Sequence, residues 1–159
     1  MTTVGPIDTG DVPFVGPAPG RYLFVVDTIV APGLPLQWEA RIGRDPDTMT
    51  GQSLTLDQNS TTSPRELTGG VWDAKFLVEA DGSFTIGVVP LAITGNANPI
   101  TGSDIVTTEM AFESAGPLCG DLVAGDITQP LPLELLGSTF ALIPLDEGDV
   151  WPVDFPLGC

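Results

Sequence analysis

The chain has 159 residues, 42% of them hydrophobic, and a mean hydropathy of +0.25, enough apolar material for one domain with a real core and too much for wholesale disorder. Its formal net charge of −16 arises because 21 acidic residues face only 5 basic ones, with Lys75 the sole lysine. A field of that sign repels phosphate backbones and anionic headgroups, which argues against nucleic acid and membrane-surface partners, and no apolar run approaches the roughly 18 residues of a membrane helix.

Residues 1–20 hold Pro6, Pro13, Pro17 and Pro19, a spacing that excludes helix. Val4, Ile7, Val12, Phe14 and Val15 make the stretch too apolar for a plain spacer. Its composition also suits a flexible linker, and the expectation set against that is an extended arm that docks on its own domain or on a neighbour, with Phe14 as a contact residue. Arg21 to Val30 reads as a strand with apolar residues on both faces, hence buried on both sides. Leu36 to Ile42 alternates, with Leu36, Trp38, Ala40 and Ile42 inward and Gln37, Glu39 and Arg41 outward. A loop at 43–47 leads to a short strand carrying Leu54 and Leu56, and 58–70 is a polar loop closed by paired glycines.

Val71 to Leu91 carries the strongest local signal. Trp72, Ala74, Phe76 and Val78 share one face of the first run, and Phe84, Ile86 and Val88 share one face of the second. Asp81-Gly82 between them predicts a tight hairpin. Asp104 to Glu113, Leu118 to Thr128 and Leu131 to Leu145 read as three further strands, with Pro132, Gly137 and Pro144 punctuating the last. About eight strands, turn signals between them and no helical period predict an all-β chain. The expected architecture is a β-sandwich, the jelly roll being one version of it, over 21–159, preceded by the arm over 1–20.

Histidine is absent. That removes imidazole bases, Ser-His-Asp and Cys-His nucleophile systems and the usual zinc sites. A carboxylate pair remains conceivable for glycoside hydrolysis. Glu109 and Glu113, four residues apart on one predicted strand, would stand roughly 13 Å apart, wider than the about 5–9.5 Å such enzymes use. Glu39 and Glu134 are the candidates for a partner from another strand. Asp45 and Asp47 have the alternation of a calcium loop, with Asp57 downstream. The run lacks the third acid and the bidentate Glu of an EF-hand, and an Asp- and Pro-rich turn needs no metal. No cofactor is expected. Trp38 and Trp72 fall at inward parity, whereas Trp151, among Asp146, Glu147, Asp149 and Asp154, either packs the tail or forms an exposed contact.

The two cysteines are Cys119 and Cys159, the latter the last residue. A terminal cysteine is most simply one end of a staple, and closing a loop of about 40 residues stabilises by about 4 kcal/mol in the chain-entropy model. The pair points to an oxidising compartment. No signal sequence is legible at Met1, so the chain reads as a mature form.

Cys119-Gly120-Asp121, Gly125, Ile127 and the run PLPLELLGSTF at 130–140 resemble the C-terminal part of uncharacterised secreted proteins and lipoproteins of predatory Gram-negative bacteria with large genomes. The resemblance implies a surface or periplasmic location and a disulfide between the CG cysteine and a late one; it carries no activity. The chain departs from the lipoproteins in lacking a lipobox cysteine. The expectation is a non-enzymatic extracellular or cell-surface module with a structural or assembly role, such as a filament or surface-layer subunit. Its expected partner is protein, including a second copy engaged through the arm. The alternative is a carbohydrate-binding or carbohydrate-active module.

Overall fold

The computed structural model describes residues 14–159; residues 1–13, and with them Val4, Ile7 and Val12 of the expected arm, lie outside the described residues. Twelve strands follow in order: β1 (Gly20–Asp27), β2 (Leu36–Gly43), β3 (Thr48–Leu54), β4 (Leu67–Val78), β5 (Phe84–Val88), β6 (Ala92–Ile93), β7 (Ile105–Thr107), β8 (Met110–Gly116), β9 (Cys119–Ala124), β10 (Asp126–Gln129), β11 (Leu133–Glu134) and β12 (Thr139–Leu145). The one helical element among the described residues is a single 3₁₀ turn at Gly95–Ala97. The all-β expectation holds.

The sandwich does not. Eight strands in the order β1-β12-β9-β8-β5-β4-β3-β2 close into an antiparallel barrel, and β11-β10-β7-β6 form a separate small sheet. Closure is made at β1, which pairs with β2 on one side (Phe24 opposite Trp38) and with β12 on the other (Phe24 opposite Leu142). Inward-outward alternation is the same in a sandwich and a barrel, so periodicity alone does not separate them. Burial of β1 on both faces, read from its sequence, is real. One face lines the barrel through Tyr22, Phe24 and Val26, while Leu23 and Val25 on the other lie under the C-terminal tail.

The barrel is filled. Phe24 contacts Trp38, Phe112 and Phe140 at ring-centroid distances of 5.4, 5.4 and 5.9 Å, the last two edge to face. Trp38 meets Trp72 edge-on at 6.1 Å, and Phe84 extends the stack from Phe140 to Phe76. The predicted hairpin is β4–β5, in register from Ala74↔Val88 to Val78↔Phe84. Its turn is closed by Gly82 N–H donating to the Glu79 carbonyl, with Gly82 at φ +90°.

The turns β2–β3, β4–β5 and β8–β9 lie at one end, here the near end, as the registers require. The small sheet caps the far end. It is built from chain that leaves the barrel after β5 and after β9. Three predicted strands are therefore each divided: 104–113 into β7 and β8, 118–128 into β9 and β10, and 131–145 into β11 and β12.

Candidate functional site

The carboxylates expected to pair are dispersed. Glu39 lies on the outer wall and accepts from Arg21 Nε at 2.6 Å, with Arg41 Nη2 at 3.8 Å. Glu109 sits in the link before β8 rather than on one strand with Glu113. Glu134 is in the small sheet, opposite Asp126. Glu113 does have an acidic neighbour that strand parity alone could not reveal: Asp121 stands directly opposite on β9. Both are exposed on the open outer wall, outside any cleft.

The three aspartates of the considered calcium loop do not meet. Asp45 and Asp47 occupy the β2–β3 turn at the near end, whereas Asp57 follows β3 at the far end, so a common ligand is ruled out by the length of the barrel. Asp47 has other partners: Oδ1 accepts from Arg44 Nε at 2.7 Å and Oδ2 from the Val78 N–H at 3.1 Å. These bonds, Arg44's foremost, hold its carboxyl below the ordinary carboxylate range. Among the described residues no group of three metal-ligating side chains is assembled.

The tryptophans are all engaged. Trp38 and Trp72 are inside the barrel, as their parity indicated. Trp151 packs on the outer wall with Phe155 against Leu23, Val25 and Ala141, and the Arg21 guanidinium lies 5.6 Å from its ring centroid. It packs the tail. Phe14 remains partly exposed at the near end, its ring and carbonyl over Gly82, where a β-carbon would come within 2.5 Å of the Phe14 carbonyl oxygen.

What sequence reasoning missed is the use of the cations. Every arginine in the chain holds a terminal segment. Arg21 Nη1 donates to the carbonyls of Asp146 (3.0 Å) and Asp149 (2.8 Å). Arg41 pairs bidentately with Glu147 at 2.8 and 3.3 Å, and its hydrogen bond holds the Glu147 carboxyl below its ordinary range. Arg65 Nη1 donates to the carbonyls of Trp151 (2.9 Å) and Pro152 (2.6 Å), while its Nη2 donates to Gln37 Oε1. At the near end Arg44 Nη1 donates to the carbonyls of Val15 (3.3 Å) and Pro17 (2.9 Å), and the Tyr22 hydroxyl to that of Ala18 (2.7 Å). A guanidinium suits this work because its fork presents several donors while staying charged. No local pattern marks an arginine whose acceptors are distant carbonyls.

The tail over 146–159 thus climbs the wall of β1 and β2. It turns back where Thr139 Oγ1 donates to the Leu157 carbonyl at 2.7 Å, and ends at Cys159, bonded to Cys119 with Cα atoms 5.1 Å apart. The expected staple is present, and no described cysteine is free. Among the described residues Lys75 is the one cation outside these clamps, exposed beside Leu77, Thr85 and Gly87 in a shallow depression of the wall.

A partly enclosed recess of about 60 Å³ lies in the far-end cap, walled by Ile100, Ile105, Ile127, Pro130, Leu131 and Leu133. Asn98 also borders it, but its polar atoms are engaged within its own loop. Nδ2 donates to Thr101 Oγ1 and the Ser103 carbonyl, both at 2.8 Å, and Oδ1 accepts from the Ile100 N–H at 3.0 Å. The recess therefore presents carbon to whatever enters it.

No family model matches the chain, and no curated protein or solved structure shows significant similarity to it.

Proposed function

We propose that this protein is a non-enzymatic extracellular or cell-surface module with a structural or assembly role. The observation that carries the reading is the way the barrel is spent: its interior is packed solid with aromatic rings, and its arginines and its disulfide bind its own ends to its wall. Barrels of this strand number either fill with side chains or hold one small ligand; this one is of the first kind. Recognition is then left to the outer wall and the two ends, surfaces suited to protein contacts. The disulfide is compatible with an oxidising location outside the cytosol. No helix among the described residues is long and apolar enough to cross a membrane.

The mass of the oxidised full chain, followed by light scattering over a wide concentration range, tests the role. Growth well beyond the 16.6 kDa of one chain is the expected result. A particle that stays monomeric throughout, or one that turns over or tightly binds a polysaccharide, would overturn the assembly reading in favour of a carbohydrate module.

A further inference from the structure

We propose that the far-end recess is the acceptor for the N-terminal arm of a second copy of this chain, so that copies join head to tail. The inference rests on the assembly reading and specifies its contact.

The recess selects for an apolar, side-chain-sized group. Its floor is rigid core, Ile105 and Ile127 being almost fully buried, and its mouth is Leu131, 66% exposed. No charged residue lines it. That is unusual ground on a chain of net charge −16, where most self-contacts would bring like charges together. The arm matches it chemically. Within 1–13, Val4, Ile7 and Val12 are branched and apolar, Asp8 and Asp11 are the only charged side chains, and Pro6 and Pro13 limit the entropy lost on fixing an extended backbone.

Placement gives the direction. The described chain begins at the near end, where Gly16 and Pro17 are buried, Arg44 holds the carbonyls on either side, and Phe14 covers Gly82. The recess is in the cap at the opposite end, formed by loops that leave the barrel after β5 and β9. Donor and acceptor at opposite ends make a heterologous contact, which propagates instead of closing as a pair. Because the contact is apolar between like-charged bodies, added salt strengthens it.

A complementation experiment with two full-length variants tests the inference. Val4→Asp, Ile7→Asp and Val12→Asp together spoil the arm and leave the recess. Leu131→Asp spoils the mouth and leaves the arm; Leu131→Trp, at the same exposed position, blocks the mouth by bulk without removing a hydrogen bond and guards against a folding defect in the first. Equilibrium sedimentation should show each variant monomeric alone and a one-to-one complex when the arm-intact and recess-intact partners are mixed, tighter at higher salt. Wild type should form longer chains. If wild type assembles but the mixture stays monomeric, or if the variants still assemble alone, the arm-in-recess contact is wrong while the assembly role survives. If wild type is monomeric at every concentration, both fall.

Discussion

At the scale of single residues, parity was readable and proximity was not. Trp38, Trp72, Phe76 and Phe84 are where alternation put them. Nothing along the chain foretold that Gly51 is the floor on which Trp72 rests, or that Gly120 is the floor under Phe140. A β-carbon at Gly51 would fall 2.3 Å from the Trp72 ring, and one at Gly120 would fall 2.0 Å from the Glu113 carbonyl oxygen and 2.8 Å from the Phe140 ring. Gly51 has no positive φ, so its requirement is space alone. Gly51→Ala should therefore lower stability by about 1–3 kcal/mol, the range for overpacking a tight core. Pairing it with Trp72→Phe should recover part of that loss relative to the two single changes. Urea unfolding of the four proteins measures this cycle; additive effects, or an unchanged midpoint for Gly51→Ala, would contradict the packing described.

Among the elements, the hairpin at 71–91 was legible because two signals agreed: a period of two on both sides and Asp-Gly between them. The divided strands were not. Alternation continues across Thr108 and Glu109, while Gly125, at φ +139°, and Gly137, at φ +98°, let the chain leave one sheet for the other without a long loop. The tail over 146–159 was illegible for another reason. Its apolar residues recur at every second position from Trp151 to Leu157, but Pro152 and Pro156 interrupt the run and it forms no strand, and its anchors are arginines far away in sequence. Its hold on the barrel depends on pH in a definite direction. The Glu147 carboxyl, accepting from Arg41, has its folded-state pKa below the ordinary value. A depressed carboxylate contributes stability that is fully present above the ordinary pKa, about 4, and is lost as pH falls through the lowered value. At pH 4, pepsin should release fragments of the tail faster from Glu147→Gln than from wild type, and the difference should shrink as the pH is lowered further and the wild-type carboxyl takes up its proton. Equal cleavage at pH 4 would show that this clamp does not hold the tail.

On the scale of the whole molecule, the sequence specified the class and the staple but left the closure open. A strand apolar on both faces reads as the middle of a sandwich. Here β1 has the barrel core on one side and the tail on the other, so two different things bury it. The result is a barrel with one wall covered by its own tail and one wall, around Lys75, that no other described residues cover. The scarcity of cations fits this plan, since the four arginines are committed to the ends. Hydroxyl-radical footprinting read by mass spectrometry tests the arrangement most directly, comparing the oxidised wild type with a variant lacking the staple and one clamp (Cys119→Ser, Cys159→Ser, Arg65→Ala). In wild type, Leu23, Val25, Trp151 and Phe155 should be protected together with Phe24, Trp38 and Phe112. In the variant the first four should become reactive while the three barrel-lining rings stay protected. Reactivity gained by both sets together, or full reactivity of Trp151 and Phe155 in the oxidised wild type, would contradict a closed barrel bound by its own tail.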